Sequence, residues 1–212
     1  MHVQSHLSEN PDEVAWVRTL FPEASGYLDV YRRHGLLGRR AIYAHGIHLD
    51  DAEWALLAES GTALAHCPTS NLFLGSGLFD LARATTGSAP VHVGLASDIG
   101  GGTSLSPLQT MGEAYKVAQL RKNSVTAAQL WWLHTAGAAE ALDLADCVGN
   151  LTPGLEADVV VLDGHHIPLV AHRLARVQSV DELLFYFAAC GDDRLVRETW
   201  VAGARAYNRT ES

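Results

Sequence analysis

Four short stretches hold nearly all the side chains suited to acid–base or metal chemistry. They are Ser5-His6-Leu7-Ser8-Glu9, Ala44-His45-Gly46, His66-Cys67-Pro68-Thr69-Ser70-Asn71 and Ala96-Ser97-Asp98. His6 and Glu9 lie three apart, where an apolar, β-prone run gives way to a polar loop. An imidazole there can face a cation while the carboxylate reaches over the same pocket as a proton carrier. His45 and Asp98 close two later runs of the same kind. A divalent cation held by imidazole and carboxylate, with one position open to water, is the general form of a hydrolytic site. Such an ion lowers the pKa of its water to about 7, and a neighbouring carboxylate can then move protons. Taken singly, each residue has an ordinary reading. A strand-end histidine is more often bonded to backbone, and Asp98 could cap the turn at Gly100-Gly101-Gly102. The repetition of the pattern is what points to a shared site.

The elements that must position these residues alternate between strand and helix. Strands are expected at 2–6, 41–45, 62–66 and 91–96, each ending on one of the polar stretches. Between them, Pro11 and the acids Asp12 and Glu13 open a helix with Val14, Val17, Leu20 and Phe21 as its apolar stripe. A second short helix covers 27–33, and Asp50 caps a third that runs to Glu59 and stops near Gly61. A loop at 68–77 leads to a short helix around 78–83, and longer helices are expected over 104–120 and 126–142. This βαβα order implies a parallel sheet, and polar residues at the C-terminal ends of successive parallel strands mark the active face of a TIM barrel. Beyond Val148 the pattern changes: a strand at 157–163, an irregular stretch at 165–177, a helix at 180–190 and a closing strand at 199–207. The expected organisation is therefore 1–147 as part of an α/β barrel and 148–212 as a smaller β-rich segment.

Composition narrows the function further. With 24 acidic against 15 basic residues, the formal net charge of −9 argues against nucleic acid or an anionic membrane as partner. Eleven histidines favour a metal or acid–base site. Cys67, Cys147 and Cys190 form no CxxC pair, so neither a disulfide framework nor a zinc–cysteine site is expected. The N-terminus lacks the basic and apolar regions of a signal peptide, no run reaches membrane-spanning length, and a cytoplasmic setting is expected.

These stretches resemble the C-terminal half of the guanine deaminases, in the zinc-dependent amidohydrolase superfamily, and the resemblance covers nearly the whole chain. The histidine and aspartate stretches are shared by many amidohydrolases. Asn71-Leu72-Phe73-Leu74-Gly75-Ser76-Gly77 and Gly191-Asp192-Asp193-Arg194 are more particular to guanine deaminases, and Glu113-Ala114-Tyr115-Lys116-Val117 also matches. The resemblance implies that the four strands at 2–6, 41–45, 62–66 and 91–96 would be strands five to eight of a (β/α)8 barrel, with one zinc ion (iron as the alternative) held by His6 and Asp98. It implies Glu9 as proton shuttle to the purine ring, His45 as the group orienting the water, and Asp98 as the acceptor of the water's proton. The implied reaction is hydrolytic deamination of guanine to xanthine by a homodimeric enzyme. His66, Ser70 and Asn71 are candidate substrate-binding residues, whereas Cys67, Trp131 and Trp132 read as core and His48, His92 and His134 as structural or surface.

The family's first strand supplies two further zinc ligands as His-x-His, a pattern found nowhere in the 212 residues. The chain therefore reads as a partial sequence, expected to bind zinc weakly and to be inactive alone. Two other readings stay open: an amidohydrolase acting on oxidised guanine, a triazine or cytosine, and a non-catalytic remnant that binds a partner.

Overall fold

The computed structural model describes residues 1–209. Four parallel strands form one sheet in the order in which they occur: β1 (Val3–Leu7), β2 (Ala41–His45), β3 (Ala63–His66) and β4 (Val93–Leu95). Their register aligns His6 with Ala44, Ala44 with Ala65 and Ala65 with Gly94, so the strand ends lie level at one edge of the sheet. α1 (Pro11–Leu20) and α2 (Tyr27–Arg33) follow β1, α3 (Asp51–Ser60) follows β2, and α4 (Pro68–Phe73) and α5 (Leu81–Thr86) follow β3. After β4 come α6 (Pro107–Leu120), α7 (Ala127–His134) and α8 (Ala136–Ala141).

Side chains alternate across the strands. Leu7, Ala41, Tyr43, Leu64, Val93 and Leu95 enter a core shared with Leu28, Trp54, Leu57, Phe79, Met111 and Leu130. The opposite face carries the smaller Ala44, Ala65 and Gly94, and α8 packs closely there, with Ala138 against Gly94. Helix ends follow local chemistry. Asn10 caps α1 through the Glu13 amide, and Asp50 and Glu53 form a reciprocal capping box on α3. Gly61 closes α3 at φ +68, a left-handed conformation that favours glycine.

Several boundaries differ from the sequence expectation for identifiable reasons. Pro68 starts α4 inside the stretch read as loop, because proline suits a first helical turn. The 126–142 helix is broken at Thr135, whose φ of −123 and ψ of −101 are not helical, and Gly137 then lets the second helix pass against the Trp132 ring. The short helix shifts to 81–86, where Asp80 caps it through the Arg83 amide. The irregular 165–177 stretch contains α9 (Pro168–Leu174), again opened by proline. The closing strand is a hairpin, β6 (Val196–Val201) and β7 (Ala204–Asn208), turned at Ala202-Gly203 with both residues at positive φ. With β5 (Val159–Leu162) these strands form an antiparallel sheet in the order β5-β6-β7. α1 buries no residue and leaves Trp16 65% exposed, since it packs on α2 rather than on the sheet.

α10 (Val180–Cys190) packs on α6 and α7, so Phe187, Ala188 and Leu195 join the main core although they lie far along the chain. Among the described residues, no helix is long and apolar enough to cross a membrane.

Candidate active site

Three of the four strands end in backbone that turns left-handed at a non-glycine residue: Ser8 after β1 (φ +46), His45 in β2 (φ +74) and Asp98 after β4 (φ +47). Such conformations are costly and concentrate where a side chain must be aimed. The turns are fixed by backbone bonds. Gly46 donates to the Leu7 carbonyl, and both Ile47 and His48 donate to that of Ser8.

The result is convergence. One ligand atom from each of His6, His45 and Asp98 lies within 4.8 Å of the others. The His6 and His45 rings stack with centroids 5.3 Å apart. His45 is fully buried, and its Nε2 faces Glu9 Oε2 at 3.7 Å and Asp98 Oδ2 at 3.9 Å. Its Nδ1 lies 2.8 Å from Asn71 Oδ1. A carbonyl oxygen only accepts, so Nδ1 carries a proton, and Nε2 is the ring nitrogen that faces the two carboxylates. That Nε2 has no hydrogen-bond partner among the described residues. A buried, unpartnered ring nitrogen beside two carboxylates and a second imidazole is a donor set suited to a divalent cation. Liganding nitrogens and oxygens sit about 2 Å from such an ion, so the spacing of His6, His45 and Asp98 fits one.

The other sequence candidates lie around this cluster. Asn71 is buried against His45. Ser70 is fully buried, and Gly101 passes over it: a Cβ there would sit 2.7 Å from Ser70 Oγ and 3.2 Å from Asp98 Oδ2. His66 is fully buried with its ring stacked on Phe79 at 4.7 Å, and neither nitrogen has a partner among the described residues. Burial, with His45 nearby, pushes its pKa down to about 3, so it is neutral at physiological pH. Burial likewise raises the Cys67 thiol to about 12, the carboxylates of Asp98 and Glu9 adding to the effect. This cysteine is an inert packing residue rather than a thiolate. His48 Nε2 donates to the Ser76 carbonyl, Trp131 donates to the Leu184 carbonyl, and Lys116 pairs with Glu113 at the surface.

Ser76 is the residue that sequence reasoning missed. Its hydroxyl donates to Glu9 Oε1 at 2.8 Å. The loop that carries it stood out in the sequence, but nothing local connects it to a glutamate 67 residues earlier.

A cavity of about 310 Å³ opens beside the cluster over the small-residue face, lined by Gln4, Ile42, Ala44, Ala65, Cys67 and Asp98 among others. That volume is within the range of small-molecule pockets. A larger one, about 710 Å³ between α6 and α10, contains none of the converging groups.

The sequence profile of the amidohydrolase family matches residues 1–205. The chain belongs to the amidohydrolase family. Among its amidohydrolase relatives, guanine deaminase of Escherichia coli (strain K12) is 45% identical over 207 residues, which are 98% of this chain and 47% of that protein. The solved structure of E. coli guanine deaminase superposes with a TM-score of 0.96, covering 99% of this chain and 49% of that one. Guanine deaminase from C. acetobutylicum, solved with guanine in its active site, is 28% identical with a TM-score of 0.86, over 98% of this chain and 49% of that one. An adenosine deaminase from Xanthomonas campestris with bound zinc is 26% identical at the same TM-score, over 100% and 46%. The chain thus spans about half the length of the relatives it matches. An amidohydrolase fold and a bound metal ion agree with the α/β architecture and with the His–His–Asp cluster.

Proposed function

We propose that the protein hydrolytically deaminates guanine to xanthine and ammonia. The observation that carries this reading is the convergence of His6, His45 and Asp98 within 4.8 Å, with Glu9 beside them, in a chain 45% identical to a guanine deaminase. We assign zinc as the ion, with His6 and Asp98 as ligands and β1–β4 as strands five to eight of a (β/α)8 barrel. A bound zinc would supply Lewis acidity to activate water. Residues 148–212 are assigned as a tail that contributes β5–β7 to a small β domain while its α10 packs on α6 and α7, and the enzyme is assigned as a cytoplasmic homodimer.

Each residue's part follows from its chemistry and place. Water attacks the amino-bearing ring carbon. Asp98 takes a proton from that water, and His45, its Nε2 toward the same point, orients it. Glu9 delivers a proton to the adjacent ring nitrogen, which makes the carbon electrophilic. The proton taken by Asp98 then passes to the amino group, the added hydroxyl gives its proton back to Glu9 as the carbonyl forms, and the C–N bond breaks as ammonia leaves. Proton transfer by a positioned side chain contributes roughly 10²–10⁴-fold. For His66, Ser70 and Asn71, burial favours support of His45 and the Asp98 loop over direct substrate contact.

The test joins this chain to the N-terminal half of the E. coli relative, with that relative's own C-terminal half as positive control. Xanthine and ammonia are expected from guanine in stoichiometric amounts, and Glu9→Gln is expected to remove at least roughly 10²-fold of kcat. If the control turns over guanine and the chimera with this chain does not, the reading fails. Turnover of a triazine or cytosine in place of guanine would move the assignment within the family.

A further inference from the structure

We infer that Ser76 is a positioning residue for the acid–base step, holding Glu9 so that a single carboxylate oxygen faces the reacting groups. The inference rests on the reading of Glu9 as proton carrier given above. Glu9 follows β1, and its own amide donates to Glu13 Oε2 at 2.8 Å, which fixes the backbone. Its carboxylate is a different matter, because the last torsion of a glutamate is broad and nearly two-fold. Unrestrained, the two oxygens would exchange. Ser76 Oγ donates to Oε1 at 2.8 Å, leaving Oε2 as the atom 3.7 Å from His45 Nε2. The hydroxyl donates and Oε1 accepts, so Oε1 is held by Ser76 and Oε2 is the oxygen left free to exchange a proton.

The support behind Ser76 is rigid. Its amide donates to the Asn71 carbonyl at 2.9 Å, and its carbonyl is 3.0 Å from His48 Nε2. Gly75 at φ +72 and Gly77 at φ +136 turn the chain on either side, and a Cβ on Gly77 would meet Ile47 Cγ2 at 2.9 Å. Ser76 itself is buried. The same loop carries Asn71, whose side-chain oxygen accepts from His45 Nδ1 and so holds the ring. One loop, 71–77, therefore orients both the proton carrier and the imidazole opposite it.

The experiment has two arms. In the first, this chain is made with glutamate labelled at the side-chain carboxyl carbon, and the Glu9 resonance is assigned from Glu9→Gln. Ser76→Ala is expected to move that resonance while the other glutamates stay in place, and Ser76→Thr, which keeps the hydroxyl, to restore it. An unmoved resonance overturns the inference. Should Ser76→Ala fail to fold, Ser76→Cys, of similar size and a weak donor, is read in its place. In the second arm, the chimeric deaminase carrying Ser76→Ala is expected to lose roughly 10-fold or more in kcat, with KM within two-fold (~2) of wild type. In the Glu9→Gln background the same change is expected to cost nothing further, and an equal loss there would place Ser76's effect elsewhere. Full activity of Glu9→Gln alone would instead refute the role of Glu9, and the carboxyl resonance would still decide the contact.

Discussion

At the scale of single residues, the site is organised by what its polar atoms can and cannot bond. His45 shows this most directly: one nitrogen is fixed by Asn71, and the other is left facing two carboxylates. Asn71→Ala, which releases the His45 ring, is expected to lower kcat of the chimeric deaminase by roughly 10-fold, read by steady-state guanine turnover. His66 makes a second prediction with a definite sign. Its folded pKa of about 3 lies below the unfolded value of about 6.5. The unfolded chain therefore takes up a proton that the folded chain refuses. His66 contributes its full stability above pH ~6.5, and this is lost as the pH falls toward its folded value. The slope it adds is at most about 1.4 kcal/mol per pH unit. His66→Phe, which keeps a ring against Phe79, is expected to flatten the acid limb of a urea-denaturation series between pH ~7 and ~4. An unchanged slope would mean that His66 titrates normally.

At the scale of elements, helices are set by local signals, and loops by where they must return. α2 depends on Asp29, buried and bonded by Arg33, by the Ser25 amide and by Arg32. Those bonds hold its carboxyl well below the usual carboxylate range, with the Arg33 contact the largest cause. The stabilisation is complete above the unfolded value of about 3.9 and disappears as pH falls through the lowered folded value. Asp29→Asn is expected to cost about 1–3 kcal/mol at neutral pH, and the gap from wild type should narrow in acid, as denaturant melts at pH ~7 and ~3 would show. The 71–77 loop is sensitive at Gly77, whose φ of +136 suits no L side chain and whose neighbour Ile47 leaves no room. Gly77→Ala is expected to lower kcat of the chimeric deaminase through Ser76 while secondary structure by circular dichroism stays unchanged.

At the scale of the whole molecule, one sheet brings together His6, His45 and Asp98 from three separated segments, so an ion held among them would couple those segments. A ligand that binds only the folded state at a hundred times its Kd adds about 2.7 kcal/mol of stability. Zinc is therefore expected to raise the melting temperature, a chelator to reverse the rise, and His6→Ala or Asp98→Asn to abolish it. A zinc-independent melt would argue that the cluster holds no ion.

What could be read from the residues themselves was whatever depends on near neighbours. The four parallel strands, the helix start at Pro11, the cap at Asp50, and the polar residues waiting at the strand ends all follow from periodicity and from chemistry within a few positions. Breaks such as Thr135, and the hairpin at Ala202-Gly203, escaped because they depend on which neighbour the chain must pack against. Only the tertiary structure could decide which atoms meet: that His45 turns its Nε2 between Glu9 and Asp98, and that Ser76 reaches Glu9 across 67 residues. A hydrogen bond across that span leaves no local trace, because it is made by the register of parallel strands and the return path of a loop, and neither is a property of the residues that form it.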